Sequence, residues 1–121
     1  MPREDVTSFL PLSPAVFHVM VSLADGSRHG FAIIKDGAER TGGAERLGAG
    51  TLYAIIKRML SDDLITEIAS EEEGSTGDQR RRYYRLTALG RKVATAEAER
   101  LERAVASARS SRLLPTPRSA R

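Results

Sequence analysis

The chain has 121 residues and a mass of 13.2 kDa, a size that fits one domain and excludes a large multi-step enzyme. Hydrophobic residues make up 40% of the chain, charged residues 29% and aromatic residues only 5%. This composition predicts a globular protein with a mainly aliphatic core. The absence of cysteine excludes disulfides, thiolate nucleophiles and cysteine-based zinc sites.

The formal net charge of +3 is distributed unevenly along the chain. Residues 1–78 carry 7 lysines and arginines against 13 acidic residues, whereas residues 79–121 carry 12 against 3. A basic C-terminal part of this kind indicates an anionic partner, for which nucleic acid is the usual candidate. A solvated basic helix and tail would show the same pattern.

No segment of the sequence suggests export or a membrane. The longest N-terminal apolar run is far shorter than the roughly 20 residues of a spanning helix. The N-terminus carries Arg3, Glu4 and Asp5 in place of the basic start and cleavage site of a signal peptide. We expect a cytoplasmic protein without membrane contact.

Two helices are predicted in the first third of the chain. Ser13 can accept the free N–H groups of the first helix and Pro14 fits its first turn. That helix ends at Asp25-Gly26, a turn dipeptide. The second helix is expected over residues 30–40.

The third helix, beginning near Gly48, has the most regular apolar stripe, formed by Leu52, Ile55, Ile56, Met59 and Leu60. Glycine at its start permits close approach by a phosphate, which free helix N–H groups favour. Tyr53 lies at the edge of this helix, where a tyrosine often only packs its ring against neighbouring residues. The residues of this helix that we predict to contact the anionic partner are Gly50, Thr51, Tyr53, Lys57 and Arg58.

Two strands are predicted over residues 64–69 and 80–86, because alternate side chains there form shared faces. A long hairpin tip rich in Glu, Gly and Ser separates them. The returning strand starts with three arginines that we predict to contact DNA phosphates: Arg80, Arg81 and Arg82. Glu71, Glu72 and Glu73 across the hairpin could pair with them instead.

Thr87 is predicted to cap a final helix that runs to about residue 109. Small and apolar residues recur along it with the spacing of a heptad seam, namely Ala94, Ala98, Leu101, Val105 and Ala108. These five residues are the predicted dimer interface. Residues 110–121 are expected to form a disordered basic tail.

The order of three helices, two strands and a last helix predicts a mainly α fold with a small β-hairpin. It is the order of a winged helix-turn-helix, in which the third helix enters the major groove. We place this DNA-binding domain at residues 12–86, after an N-terminal arm at residues 1–11. The dimerisation helix then covers residues 87–109.

Several short motifs resemble the PadR family of transcriptional regulators, in its short form with a single C-terminal helix. They are Leu12-Ser13, His29-Gly30-Phe31, Gly50-Thr51-Leu52-Tyr53, Leu64-Ile65 and Arg82-Tyr83-Tyr84-Arg85-Leu86-Thr87 with Gly90. The resemblance implies a dimeric repressor that reads a near-palindromic operator and has an effector site near the dimer interface. Where the family often has glycine before Leu-Ile, this chain has Asp63.

Nothing in the sequence indicates catalysis. No nucleophile elbow, phosphate loop or metal-binding helix motif is present, and His18 and His29 lack an acidic partner at ligand spacing. We predict no cofactor and no metal. The leading hypothesis is a sequence-specific DNA-binding regulator, a homodimeric repressor released by a small-molecule effector. The alternatives are a winged-helix protein-interaction module without DNA binding, and a protein whose main role is small-molecule sensing.

Overall fold

Four α-helices and one small antiparallel sheet make up the computed structural model, which describes residues 6–44, 46–69 and 82–116. The elements, in chain order, are a 3-10 helix at Val6–Phe9, α1 at Pro14–Ser22, β1 at Arg28–His29, α2 at Gly30–Arg40, α3 at Ala49–Ser61, β2 at Ile65–Ala69, β3 at Arg82–Leu86 and α4 at Ala88–Ser110. This architecture confirms the predicted fold class, a winged helix followed by a C-terminal helix.

Side chains cap three of the four α-helices. Ser13 Oγ accepts the Val16 N–H at 3.2 Å, and Thr87 Oγ1 accepts the Gly90 N–H at 2.9 Å, as the sequence predicted. The cap of α2 was not predicted: His29 Nδ1 accepts the Ala32 N–H at 3.1 Å. At the start of α3, Gly48 has no side chain that could do the same.

The sheet contains three strands in the order β1-β3-β2, where the sequence predicted a two-stranded hairpin. The added strand, β1, pairs with β3 through only two residue pairs, His29 with Tyr83 and Arg28 with Tyr84. A strand of two residues is too short to show an alternating pattern. β2 begins one residue later than predicted, and its first residue, Ile65, is buried and pairs with Leu86.

The core lies between α1, α2, α3, the sheet and the first half of α4. Its fully buried members are mainly aliphatic, as expected: Val19, Met20, Leu23, Ile33, Leu52, Ile56, Met59, Leu64, Ile65, Tyr84 and Val93. Phe31, the second residue of α2, does not join the core and is 72% exposed. From the predicted N-terminal arm, Val6 and Phe9 pack against the core and are partly buried.

One junction holds α3, β2 and α4 together. Asp63 has a φ of +62°. This is the left-handed conformation favoured by glycine, the residue that the PadR family often has at this position. Its carbonyl accepts the Thr87 Oγ1 hydroxyl at 2.6 Å. Beside it, α4 packs so closely that a Cβ on Gly90 would collide with the carbonyl oxygen of Leu64.

A polar contact ties α2 to α1. Asp36 accepts the Ser22 hydroxyl at 2.6 Å and the Arg40 Nε–H at 3.0 Å. The Ser22 bond first, and then the two nearby arginines, Arg40 and Arg28, hold the pKa of Asp36 below its ordinary value against the effect of burial.

None of the helices in the described ranges has the length and hydropathy to cross a membrane.

Candidate nucleic-acid interface

The face of α3 opposite the core is open and carries mostly small or polar side chains. Gly50 and Ala54 lie along its middle, and every predicted contact residue of this helix is exposed. Helical geometry places Tyr53 and Lys57 along one border, and Thr51 and Arg58 along the other. A face of this kind can approach another surface closely and present a positive charge on each side.

Tyr53 combines the two roles that the sequence left open. Its hydroxyl lies against the first residue of α2, since a Cβ on Gly30 would come within 2.5 Å of that oxygen. Half of the residue nevertheless remains exposed, at 50%. Its position therefore depends on α2, and its ring is still available to a partner.

Arg58 forms an ion pair with Asp62, the residue that directly follows α3. The Arg58 Nε lies 3.7 Å from Asp62 Oδ2, and the arginine side chain is 83% exposed. Lys57 has no acidic partner among the described residues. Of the two cations on α3, one is paired and the other is not.

Strands β2 and β3 form the wing of the fold. Arg82 is exposed at the start of β3 and pairs with Glu67 of β2, with Nε 3.7 Å from Oε2. Arg80 and Arg81, together with Glu71, Glu72 and Glu73, lie outside the described residues. The prediction that these glutamates pair with the arginines is therefore untested. Arg85 alternates to the opposite face of the strand from Arg82.

An open groove of about 620 Å³ runs beside α3. One wall consists of the segment before and within the first turn of α1, and includes Phe9, Leu12 and Val16. Thr51 and Arg58 contribute to the other wall. The groove therefore reaches the border of the exposed α3 face.

The sequence matches the transcriptional regulator PadR-like family over residues 19–96. The chain belongs to this family. Its members regulate transcription and are not enzymes. No match was found among curated proteins.

Solved structures show the same fold. A PadR family regulator from Clostridium difficile R20291 shares 26% identity with this chain, has a TM-score of 0.69, and is matched over 81% of this chain and 97% of the other. PadR of Bacillus subtilis, solved with operator DNA, shares 17% identity with a TM-score of 0.60, over 92% of this chain and 54% of the other. At that identity the likeness shows the fold alone.

In this PadR-like chain, the predicted dimer seam divides into two parts. Ala94 packs against the core and is partly buried. Ala98, Leu101 and Val105 are exposed, and Ala108 is half-buried. Residues 101–107 are all exposed, so the second half of α4 projects from the domain.

The face of α4 that packs on the domain includes a charged residue that the sequence analysis did not single out. Glu97 is 1% exposed and accepts two bonds from Arg100, at 2.7 Å and 2.8 Å. Those bonds, the charge of Arg100 and the backbone N–H of Leu12 hold the pKa of Glu97 below its ordinary value despite its burial. The spacing of Gly90, Val93 and Glu97 marks the packed face of the helix.

Both histidines lie within the packing of the fold. His29 caps α2 and its ring lies edge-on to Tyr83, with centroids 5.4 Å apart. His18 lies with its Nδ1 buried and without a hydrogen-bond partner, beside Val19 and Ile33. Among the described residues, no group of three potential metal-binding side chains comes together.

Proposed function

We propose that the chain is a sequence-specific DNA-binding regulator that works in the cytoplasm as a homodimeric repressor on a near-palindromic operator. The observation that carries this proposal is the exposed α3 face, where Gly50 and Ala54 are flanked by Lys57 and Arg58. Arg82 adds a further cation from the wing. In winged helix-turn-helix proteins, phosphate contacts of such side chains position the protein, and base-edge contacts specify the sequence.

Gly50, near the start of α3, supports close contact with a partner. A Cβ on Gly48 or Gly50 would meet nothing within 4 Å, and neither has a positive φ. The fold itself therefore gives no steric reason for glycine at position 50, inside the helix, where glycine costs about 1 kcal/mol relative to alanine. An approaching DNA backbone supplies such a reason. Gly48 is the N-cap residue of α3, a position at which glycine is itself favoured over alanine.

The projecting half of α4 supports the homodimer. Leu101 is 37% and Val105 38% exposed, on a stretch of helix, residues 101–107, in which every residue is exposed. A second copy of α4 would bury these side chains, and a two-fold dimer would place two α3 helices on successive half-sites.

The groove beside α3 supports release by a small-molecule effector. Its lining includes no residue of α4, so this site differs from the one near the dimer interface that the resemblance implies. The groove volume of about 620 Å³ is in the range of ligand pockets. A ligand bound there would touch Thr51 and Arg58 and would compete with DNA for the same face.

Selection of genomic fragments by the purified protein tests DNA binding and yields the operator. On that operator, Lys57→Ala should lower the affinity at least about ten-fold and reduce the salt slope by about 2, since the homodimer loses one phosphate contact in each protomer. Arg81→Ala should act in the same direction. Arg103→Ala, which removes the same charge from α4 on the side away from Leu101, is the matched control and should change neither quantity.

Unchanged affinity and salt slope in both Lys57→Ala and Arg81→Ala would contradict the assigned surface. A purified protein that leaves no footprint on any selected fragment would indicate the alternative, a protein-interaction module.

For the dimer, sedimentation at micromolar concentration should give twice the chain mass, and Leu101→Asp should shift the measured mass toward that of the monomer. Ligands that release DNA should also raise the melting temperature.

A further inference from the structure

Residues 112–115, which we call the C-terminal turn, fold back against the end of α4. Arg112 has a φ of +66°, and its N–H donates to the carbonyl of Arg109 at 3.0 Å. The N–H of Leu113 donates to the carbonyl of Ala108 at 2.8 Å. These two bonds form a Schellman motif, a common end of a helix. The carbonyl of the last residue of the turn then accepts the Arg109 Nε–H at 3.0 Å, so the whole turn is tied to the helix.

The C-terminal turn holds leucine side chains in solvent. Leu113 is 78% exposed and Leu114 is 40% exposed. Together with Leu101 and Val105 of α4, they are four of the six large apolar or aromatic side chains that the described ranges leave exposed. The other two lie on α2 and α3. Exposed apolar side chains concentrated on one projecting element are typical of an interaction surface.

The turn lies at the end of the predicted dimer seam. In a Schellman motif, the side chain at the position of Leu113 frequently packs on the residue at the position of Ala108. Ala108 is the last residue of the seam, and it is half-buried although residues 101–107 are all exposed. The turn therefore adds apolar surface directly beside the last seam residue.

A second copy of the chain is the partner that fits this surface. The seam offers little apolar area by itself, because Leu101 and Val105 are only 37% and 38% exposed and Ala98 and Ala108 have one-carbon side chains. A stable interface between proteins buries about 1,200 Å² or more. Leu113 adds about twice the exposed fraction of Leu101. In a two-fold dimer the same patch occurs on both subunits, so each added side chain counts twice.

We propose that the C-terminal turn is part of the dimer interface, in which Leu113 and Leu114 of each protomer pack against the partner subunit beside the α4 seam. The inference rests on the proposed homodimer. It extends the interface past Ser110, the last residue of α4, to residues that no helical spacing includes. The left-handed conformation of Arg112 holds the two leucines at the seam.

The first test measures the dissociation constant of the dimer by sedimentation equilibrium of the full chain. Leu113→Asn should raise this constant about ten-fold or more, because every dimer loses two copies of the side chain. Leu114→Asn should raise it by a smaller factor, since Leu114 is about half as exposed. Phe31→Asn is the matched control: it removes a side chain that is 72% exposed from α2 and should change the constant less than two-fold. A Leu113→Asn dimer as tight as the wild-type dimer would overturn the inference.

Two changes at Arg112 test the shape of the turn. Both remove the same charge, but glycine readily adopts a positive φ, whereas proline fixes φ near −65°. Arg112→Gly should dimerise as tightly as the wild type. Arg112→Pro should weaken the dimer about as much as Leu113→Asn does, because it moves both leucines away from the seam. Equal dissociation constants for the two variants would contradict the role of the turn.

Leu101→Asp separates this inference from the proposed homodimer. In that monomeric background, Leu113→Asn should leave the melting temperature unchanged, and a lower melting temperature would show that Leu113 packs on its own domain instead of on a partner. A wild-type chain that sediments as a monomer would overturn the homodimer and the inference together. A dimer that responds to Leu101→Asp but not to Leu113→Asn would overturn the inference alone.

Discussion

The hydroxyl of Tyr53 on α3 lies 2.5 Å from the position that a Cβ on Gly30 of α2 would occupy. The absence of a side chain at Gly30 therefore determines where Tyr53 can lie. Because Tyr53 borders the exposed face of α3, a residue outside that face controls part of its shape.

Gly30→Ala should push the Tyr53 ring outward, since the hydroxyl end of the side chain can move and the backbone can stay. We expect a loss of stability below about 1 kcal/mol and a loss of DNA affinity close to that of Tyr53→Ala. The double variant should bind no more weakly than either single variant, because both changes act on one ring. Fully additive losses in a binding titration would contradict this coupling.

Gly90→Ala should be severely destabilising, by about 3 kcal/mol or more, because the new Cβ would collide with the backbone carbonyl of Leu64. The matched control is Gly37→Ala inside α2, where a Cβ would meet nothing within 4 Å. That variant should gain about 0.5–1 kcal/mol from helix propensity and reduced unfolded-state entropy. Urea denaturation of both variants measures the contrast, and a similar midpoint for the two would contradict the assigned packing.

Asp63→Gly should stabilise the protein by about 0.5 kcal/mol, because Asp63 has a φ of +62°, which glycine adopts without strain. The Thr87 hydroxyl bonds to the backbone carbonyl of Asp63 and should survive the change. Asp63→Ala should be destabilising by a similar amount. Thermal unfolding distinguishes them, and the opposite order of melting temperatures would refute the conformational explanation.

Arg100→Ala should destabilise the protein at pH 7, since it leaves the buried carboxylate of Glu97 without its ion-pair partner. The pKa of Glu97 lies below its ordinary value of 4.5 in the folded chain. Its contribution to stability is therefore complete above pH 4.5 and is lost as the pH falls below that value.

In the variant, the cost of Arg100→Ala should shrink in the same acidic range, because a protonated Glu97 no longer needs a cation. Urea midpoints at pH 7 and at about pH 4 measure this change, with Arg103→Ala as the exposed control that costs little at either pH. A cost for Arg100→Ala that is equal at both pH values would show that the charge of Glu97 is not responsible.

Much of the architecture follows from local patterns. The caps at Ser13 and Thr87 and the stripe on α3 depend on residues close together in the chain, so they were predictable. β1 was missed because two residues carry no periodicity, and they become a strand only when Tyr83 and Tyr84 lie beside them. The cap at His29 was missed because histidine is an unusual N-cap residue.

Some features of the candidate site likewise follow from local sequence, and others depend on how the chain packs. The sequence alone determined the four α-helices, the β2–β3 hairpin, the family resemblance, the exposed α3 face and the seam spacing of α4, since each depends on residue type at short separation. Only the tertiary structure decided that Ala94 packs on the chain's own core, that Tyr53 lies against Gly30, and that Glu67 stands beside Arg82. The acid of the wing pair and the glycine under Tyr53 come from other strands and helices, and only the packing of the folded chain brings them to these positions.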